Sequence, residues 1–462
     1  MIMKRYISEM LDEYLSRPLS PWHMPGHKRK ALLGGMWDTL FSRDVTEVPG
    51  TDDYHHPEGP ILLSQKEAAA VYHSAFSHYL VGGSTAGILA SVLALAELYR
   101  KDHRERPVFL VGKNSHRSVF HAIRLSGADY VLLKPSGDPD YGPILPGELE
   151  KHLNKNSGDS AALSFAGCII TSPTYAGAVS PLREIHHILK PSGIPLLVDE
   201  AHGAHLPFIS ALKEWSALSA GAELTVQSLH KTLPALTQTG ILHVNASGEL
   251  LCALNDLIKE QLSVVQSSSP SYILLSSAEA AVAWASESEA EFSGYLERLL
   301  AFRKSLKKSL KRFRLTEYPV FQDPTRITLS LSPEFREKKD IPGDIMKRAA
   351  EWLESNTGVV IEAFGSGEMI LISTVSDTKE DLENLLQALI RVDKESVVAS
   401  VGTVLFDSSL GSPAERDIYV YPPGIPIVRK GEIITEEALD RINKELSAGK
   451  EVRGIESGES PE

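Results

Sequence analysis

Short apolar runs recur through the middle of the chain, separated by segments with helical periodicity. The runs that predict strands lie at residues 108–111, 130–133, 167–171, 194–198, 224–227 and 241–244. Helical patterns fit between several of them, for example at 118–126 and 182–190. Buried strands that alternate with helices predict an α/β domain with a largely parallel sheet.

The chain before these strands is less regular. Residues 1–16 have the spacing of an amphipathic helix, and three prolines then interrupt the pattern. Residues 20–60 are rich in proline, glycine, histidine and aspartate without a clear period. A segment this long is usually functional or disordered, and its aromatic residues argue against disorder. Residues 64–80 have a helical pattern, and another follows at 88–99.

A second, smaller unit is predicted towards the C-terminus. Residues 285–313 predict a long charged helix that leads into it. Strand patterns occur at 326–331, 359–364 and 369–373, and helical patterns at 342–356 and 378–392. We therefore divide the chain into an N-terminal helix and loop segment, a large α/β domain, a small α+β domain and a disordered polar tail, at residues 1–63, 64–290, 291–446 and 447–462.

Composition and charge narrow the class of protein. The 462 residues exceed one ordinary hydrophobic core, which fits two main domains. A net charge of −13 argues against a nucleic-acid partner, and no run of about 20 uncharged apolar residues predicts a membrane span. Two cysteines provide neither a disulfide framework nor a zinc spacing, and no signal-peptide pattern is seen. We expect a soluble cytoplasmic protein.

Two strand ends carry the strongest chemical signal. Lys231 follows the strand pattern 224–227, with Ser228 and His230 beside it, and Asp199 ends another strand pattern. A lysine whose amine loses its proton can form a Schiff base with pyridoxal phosphate, and a buried acid can keep the pyridine nitrogen protonated. Because a lone lysine at a strand end is usually exposed, the prediction depends on both segments together.

A glycine-rich turn at residues 82–87 precedes a helix and carries two hydroxyl groups. Unpaired N–H groups and the helix dipole make it a candidate phosphate site, although a capped helix start has the same pattern. It is not a P-loop, because no Gly-Lys-Ser/Thr follows. Ala86 stands where the serine-hydrolase elbow has glycine, so a hydrolase built on Ser84 is a remote alternative.

Histidines follow two of the strand patterns. His116 could lie flat on a cofactor ring or could cap the next helix. Asp199, His202 and His205 lie close together in sequence, but they do not have the spacing of the helical histidine pair of zinc proteases. We therefore predict no metal site.

A series of motifs occurs in the order found in one enzyme family. They are residues 23–28 (HMPGHK), 46–59, 83–86 (GSTA), 114–118 (NSHRS), 171–175 (TSPTY), 199–203 (DEAHG), 228–232 (SLHKT), 266–272 (QSSSPSY) and 421–426 (YPPGIP). Through them the chain from about Ser20 to Gly424 resembles the ornithine/lysine/arginine decarboxylases, pyridoxal-phosphate enzymes of fold type I. The resemblance implies an α/β fold with a mostly parallel seven-stranded sheet flanked by helices, and a smaller α+β C-terminal domain.

The resemblance also implies roles for individual residues around the cofactor ring. Lys231 would carry pyridoxal phosphate as a Schiff base, and Asp199 would be the partner of the pyridine nitrogen. His116 would stack on one ring face and Ala201 would pack against the other. His202 aligns with a ring-side position that varies within the family. By this resemblance the catalytic residues are Lys231, His116, Asp199 and His202.

Further residues would hold the cofactor phosphate or its surroundings. These are Ser84, Thr85, Ala86, Ser228 and His230. Ser267 falls where relatives supply a phosphate contact from the neighbouring subunit. The resemblance therefore implies a homodimer or higher homo-oligomer with its active site at the subunit interface, and no nucleic-acid or membrane partner.

The implied reaction is α-decarboxylation of a basic amino acid (arginine, lysine or ornithine), which gives a polyamine-type amine and carbon dioxide. Two alternatives stay open: an aminotransferase or other lyase of the same fold, and a non-catalytic protein that binds pyridoxal phosphate for regulation. The distal cation of a basic substrate needs an acidic or polar acceptor. The long loop offers candidate acids, each of which could equally be a solvated turn residue: Asp44, Glu47, Asp52, Asp53 and Glu58.

Overall fold

The computed structural model describes residues 3–138, 140–154, 164–336, 343–365, 367–395, 410–422 and 424–455. The chain forms two compact units. The large unit spans Met1–Ser136, Pro143–Pro173 and Val179–Ser293, and the small unit spans Gly137–Gly142, Thr174–Ala178 and Gly294–Glu462. The segment 1–63, which the sequence separates as its own part, belongs to the large unit.

Helices and strands alternate through most of the large unit, and both also make up the small unit. The helices are α1 (Tyr6–Ser16), α2 (Met36–Arg43), α3 (Pro60–Tyr72), α4 (Gly83–Asp102), α5 (Arg117–Ser126), α6 (Pro146–Asn154), α7 (Leu182–Leu189), α8 (Ala217–Ala220), α9 (Leu229–Thr232), α10 (Glu249–Val265), α11 (Tyr272–Glu287), α12 (Glu289–Ser309), α13 (Pro333–Arg336), α14 (Ile345–Thr357), α15 (Lys379–Lys394) and α16 (Glu436–Ser447). The strands are β1 (Phe76–Leu80), β2 (Val108–Gly112), β3 (Asp129–Leu133), β4 (Gly167–Thr171), β5 (Ala178–Val179), β6 (Leu196–Asp199), β7 (Leu224–Gln227), β8 (Gly240–Val244), β9 (Phe313–Leu315), β10 (Phe321–Gln322), β11 (Arg326–Leu331), β12 (Ala363–Phe364), β13 (Glu368–Ile372), β14 (Ile418–Tyr421), β15 (Ile425–Val428) and β16 (Glu451–Arg453).

A seven-stranded sheet of the order β1-β8-β7-β6-β4-β2-β3 organises the large unit. The strands β7, β6, β4, β2 and β3 are parallel to one another, whereas β8 runs antiparallel to both β7 and β1. Because β8 reverses direction between them, β1 points the same way as β7. The predicted fold class, a mostly parallel sheet flanked by helices, is confirmed.

The sheet is covered on both faces, which explains why its strands read as short apolar runs. Along β2, Phe109 and Val111 pack into a core that includes α4, α5 and α10. Leu110, between them, packs into a core on the opposite face that includes α6 and α7. Successive residues of a strand point to opposite faces, so a strand buried on both sides is apolar throughout.

Three sequence predictions about element boundaries were wrong. The predicted helix at 64–80 ends at Tyr72, where His73 has a left-handed φ of 55°, and Phe76–Leu80 forms the edge strand β1 instead. The predicted helix at 285–313 is divided at Ser288, between α11 and α12. The segment 20–60, for which no periodic element was predicted, contains the helix α2.

The N-terminal helix α1 is held against the large unit by a buried acid. Glu279, on α11, accepts hydrogen bonds from the N–H groups of Ile7 (2.8 Å) and Ser8 (2.9 Å). The first N–H groups of a helix have no partner within the helix, so this carboxylate replaces the missing acceptors. The contact explains why Glu279 is fully buried.

The small unit contains two antiparallel sheets with helices. One has the strand order β12-β13-β11-β9, and the other has the order β15-β14-β16. Val452 of β16 is buried in the core formed with α16. The prediction of a disordered tail from residue 447 is therefore wrong for Glu451–Arg453, because pairing with β14 orders them. Residues 456–462 lie outside the described residues.

Within the described ranges of the chain, no helix is long and apolar enough to cross a membrane.

Candidate active site

Four loops that carry predicted site residues meet at one edge of the seven-stranded sheet. They follow β1, β2, β6 and β7, which all point the same way. In open α/β sheets, ligands bind outside the carboxyl ends of such strands. The topology therefore brings together the glycine-rich turn, His116, Asp199 and Lys231.

Lys231 lies in α9, a single helical turn that starts directly after β7. Its Nζ atom is 3.4 Å from Nε2 of His202, which comes from the loop after β6. The His202 side chain is 7 % exposed. The structure thus places the predicted lysine and the predicted ring-side histidine in direct contact.

Asp199 ends β6 and is 3 % exposed. Its Oδ1 accepts a hydrogen bond from the N–H of Ala201 at 3.2 Å. Burial raises the pKa of Asp199, whereas the positive charge of Lys231 and the Ala201 N–H act in the opposite direction. A buried carboxylate of this kind stays ionised most readily when a cationic group lies beside it.

Glu200, the next residue, is a buried acid that sequence reasoning did not single out. Its Oε1 accepts from the N–H of Ala217 at 2.7 Å, and its Oε2 accepts from Nε2 of Gln227 at 2.7 Å. Burial raises the pKa of Glu200 to about 8, although both hydrogen bonds act to lower it. Because Gln227 is the last residue of β7, Glu200 connects the strand end that carries Asp199 with the one that leads to Lys231.

The glycine-rich turn after β1 joins the lysine segment through two hydroxyl groups. Oγ of Ser228 donates to Oγ of Ser84 at 2.9 Å. Ser84 and Thr85 are in the first turn of α4, a 20-residue helix, and Ala86 is buried beneath them. Unpaired N–H groups and the positive end of the dipole lie at this helix start, as binding of a phosphate requires.

His116 caps the next helix, which is one of the two roles that the sequence predicts for it. Its Nδ1 accepts from the N–H of Ser118 at 3.2 Å and from Oγ of Ser118 at 2.8 Å. Burial, and after it the positive charge of Lys231, lowers the pKa of His116 to about 4. The ring is therefore neutral at physiological pH, and with Nδ1 accepting, its proton is assigned to Nε2. Stacking on a cofactor ring stays a prediction.

The last two predicted cofactor residues lie near this edge in different settings. Nδ1 of His230 is 2.8 Å from the carbonyl oxygen of Thr239, and burial lowers the pKa of His230. Ser267 is exposed; its Oγ accepts from the N–H of Ser269 at 3.1 Å, and its carbonyl oxygen accepts from Nε2 of His55 at 2.8 Å.

The acids of the long loop differ in how many hydrogen bonds their carboxylate oxygens accept within the protein. Both carboxylate oxygens of Asp52 accept backbone N–H groups: Oδ1 from Asp53 and Glu58, and Oδ2 from Gly59 and Ile61. Asp52 therefore holds the turn that leads into α3.

Asp44 lies 3.2 Å from Nε2 of His27, and Oδ1 of Asp53 accepts from the N–H groups of His55 and His56. Glu47 is different: its Oε2 accepts from Oγ1 of Thr46 at 2.7 Å, while its buried Oε1 has no hydrogen-bond partner in the described part of the chain. Among the five loop acids, Glu47 is thus the one with a buried carboxylate oxygen that is unpaired within the described residues.

No group of three His, Cys, Asp or Glu side chains within the described ranges is arranged to hold a metal ion.

Comparison with known proteins decides the family. A profile of the major domain of Orn/Lys/Arg decarboxylases matches residues 7–381. The chain belongs to the Orn/Lys/Arg decarboxylase family. It is a pyridoxal-phosphate-dependent amino-acid decarboxylase, which confirms the family and the enzyme class implied by the sequence motifs.

Several relatives of this decarboxylase cover nearly its full length. The uncharacterized protein YaaO of Bacillus subtilis (strain 168) is 33 % identical over 98 % of this chain and 96 % of its own. An arginine decarboxylase of Bacillus anthracis is 28 % identical over 96 % of this chain and 94 % of its own. The solved structure of the constitutive lysine decarboxylase of E. coli superposes with a TM-score of 0.79 at 17 % identity, covering 99 % of this chain and 81 % of that one. This last likeness concerns the fold.

The residues at the sheet edge fit pyridoxal phosphate. They supply a lysine amine, a buried acid and a helix start with hydroxyl groups, which correspond to the aldehyde, the ring nitrogen and the phosphate of that molecule. The decarboxylase therefore has a group of suitable chemistry for each polar part of the cofactor.

Proposed function

We propose that this decarboxylase removes the α-carboxylate of a basic amino acid, with pyridoxal phosphate attached at Lys231. The observation that carries the proposal is the meeting of Lys231, His202 and Asp199 with the α4 turn at one sheet edge. Pyridoxal phosphate, when bound, supplies a ring that accepts the electron pair left on the substrate when carbon dioxide departs.

The residues around Lys231 would hold and move protons for this reaction. His202 Nε2, at 3.4 Å from Lys231 Nζ, is close enough to exchange a proton with the amine. The positive end of the α4 helix and the hydroxyl groups of Ser84 and Ser228 would bind the phosphate, because both features favour an anion.

Asp199 and His116 would contact different parts of the cofactor ring, Asp199 its nitrogen and His116 one of its faces. Asp199, buried at the end of β6, would keep a proton on the ring nitrogen through a charge-assisted hydrogen bond. The His116 imidazole, which is neutral because burial lowers its pKa to about 4, could lie on a protonated ring without charge repulsion. Ala201, at 5 % exposure, would close the opposite face with a small apolar surface.

The basic substrate is supported by the relatives and by the acids of the long loop. Several relatives are named arginine decarboxylases, and three of the solved structures with this fold are named lysine decarboxylases. A distal ammonium or guanidinium needs an acceptor with free capacity, and Oε1 of Glu47 is a buried loop oxygen that has it. Glu47 is our candidate for this contact.

We also propose that two copies of the chain complete the site. Ser267 is exposed; its Oγ accepts from the N–H of Ser269 at 3.1 Å and donates to the carbonyl oxygen of the same residue at 3.4 Å. The hydroxyl could exchange this long contact for the phosphate bound by a partner subunit. Mixing Lys231→Ala and Ser267→Ala proteins should restore activity if the site is shared, and should restore none if each site uses its own Ser267.

The substrate proposal is tested by measuring released carbon dioxide from arginine, lysine, ornithine and leucine, with products identified by mass spectrometry. We expect one of the three basic amino acids to give its amine, and Lys231→Ala to give none. Faster turnover of leucine would refute the basic substrate. A keto-acid product would show transamination instead of decarboxylation.

A further inference from the structure

In the turn between β1 and α4, some backbone N–H groups donate to acceptors within the protein, and others have no acceptor in the described part of the chain. The N–H groups of Val81 and Gly82 both donate to Oε1 of Gln266, at 2.9 and 3.1 Å. The N–H of Gly83 donates to the carbonyl oxygen of Gln238 at 2.8 Å. The next two, at Ser84 and Thr85, have no acceptor among the described residues.

This division follows from helix geometry. The first N–H groups of a helix have no acceptor within the helix, so another group must satisfy each of them. Gln266 and Gln238 satisfy those at the outer end of the turn. The N–H groups of Ser84 and Thr85, nearest to the Ser228 hydroxyl, remain for a bound anion.

The side chain of Gln266 forms hydrogen bonds through both its amide oxygen and its amide nitrogen. It is 7 % exposed, its Oε1 accepts two N–H groups, and its Nε2 donates to the hydroxyl of Tyr54. The Tyr54 hydroxyl in turn donates to the carbonyl oxygen of Tyr79 at 2.5 Å. One amide thus ties the turn to β1 and to the loop that contains Tyr54.

Gly82 is required for this arrangement. A Cβ atom at residue 82 would lie 2.9 Å from Cβ of Ala86 and 3.6 Å from Oε1 of Gln266. The first distance is shorter than side chains tolerate, so the absence of a side chain lets the turn approach both partners.

We propose that Gln266 is a positioning residue for the phosphate-binding turn of the decarboxylase. By binding the N–H groups of Val81 and Gly82 it fixes the turn so that the N–H groups of Ser84 and Thr85 point at the phosphate. The inference rests on the proposed attachment of pyridoxal phosphate at Lys231, and it adds a residue that need not touch the cofactor. Because Ser267 follows Gln266 directly, the same amide also fixes the start of the segment that carries Ser267.

The test compares two ligands that differ only in the phosphate. The cofactor-free protein is titrated with pyridoxal phosphate and with pyridoxal, and binding is followed by absorbance. The variant Gln266→Met keeps the length of the side chain and removes its polar atoms. The matched control is Gln261→Met, in the helix α10 that Gln266 directly follows, where Nε2 donates to Glu97 at 3.0 Å.

We expect Gln266→Met to weaken binding of pyridoxal phosphate at least about tenfold, because well-aimed N–H bonds to an anion are strong and depend on geometry. Binding of pyridoxal should be unchanged, and Gln261→Met should bind both ligands like the wild type. Unchanged binding of pyridoxal phosphate, or an equal loss for both ligands, would overturn the inference.

Two further measurements keep the outcomes separate. If Gln266→Met does not fold, Tyr54→Phe takes its place, since it removes the acceptor of the Gln266 amide and should weaken binding of pyridoxal phosphate alone. Borohydride reduction and peptide mapping of the wild type report on the proposed function itself. Labelling at a lysine other than Lys231 would refute that function and this inference with it, whereas labelling at Lys231 with no effect of the variants would refute the inference alone.

Discussion

Replacing Glu200 with glutamine should change how the stability of the protein depends on pH. Glu200 is fully buried between the ends of β6 and β7, and burial raises its pKa to about 8 from an ordinary value of 4.5. Between these two values the folded state holds a proton that the unfolded state has lost. The folded state is therefore destabilised progressively as the pH rises through this window.

The magnitude follows from the shift in pKa. A carboxyl group whose pKa rises from 4.5 to about 8 on folding lowers the free energy of unfolding by roughly 4 to 5 kcal/mol above both values, at up to about 1.4 kcal/mol per pH unit. Glutamine has the same shape and no titration. The N–H of Ala217 keeps its acceptor, and the amide of Gln227, whose Oε1 has no partner in the described chain, can turn over to accept from the new amide.

The assay is urea unfolding of the wild type and of Glu200→Gln, without cofactor and at equal protein concentration, from about pH 5 to about pH 9. Taking the difference between the two proteins removes the contribution of every other titrating group. We expect the wild type to lose stability relative to the variant as the pH rises, with the difference levelling off only towards about pH 9. A difference that stays constant across this range would show that the two N–H donors hold Glu200 ionised in spite of burial, and would refute the reasoning.

Four other predictions concern the site and its loop. Lys231→Ala should abolish covalent retention of pyridoxal phosphate after borohydride reduction, and retention on another lysine would contradict the assignment. Asp199→Asn should lower turnover by about 100-fold or more while cofactor binding largely persists, because the charge that protonates the ring is lost and the phosphate contacts remain; near-normal turnover would mean that another group supports the ring nitrogen. Asp52→Asn should lower the free energy of unfolding by about 1–3 kcal/mol, since an amide nitrogen would face two backbone donors. Glu47→Gln should instead raise the Michaelis constant for a basic substrate at unchanged stability, and equal effects of these two substitutions on substrate affinity would contradict this division of roles.

The sequence was sufficient for those parts of the fold that depend on local pattern. The strands β2, β3, β4, β6, β7 and β8 lie where apolar runs predicted them, because a strand buried on both faces is apolar along its whole length. The sequence predicts helix for Phe76–Leu80 because these five residues continue the preceding helical pattern without a break in polarity. Its conformation is decided by pairing with β8, more than 150 residues later in the chain.

The candidate site shows the same limit. Lys231 and Asp199 could be found because each stands in a motif at a strand end. Glu200 and Gln266 could not, since their partners lie far away in sequence: Gln227 for the first, and Val81 and Gly82 for the second. Asp52 appeared to be a substrate-binding candidate for the same reason, because nothing in the local sequence shows that its oxygens accept backbone N–H groups.

The reversed strand β8 begins where the two turns meet. Neighbouring strands lie about 4.8 Å apart, so β1 and β7, with β8 between them, are on the order of 10 Å apart. The turns that follow these two strands nevertheless close over the start of β8, where Oγ of Ser228 lies 2.9 Å from Oγ of Ser84. Gly240, where β8 begins, has room for no side chain: a Cβ atom there would lie 2.8 Å from the carbonyl oxygen of Gln227 and 3.3 Å from the nitrogen of Ser84. A side chain at this position would push the two turns apart, so the missing Cβ of one residue lets strands that are not neighbours bring their turns together.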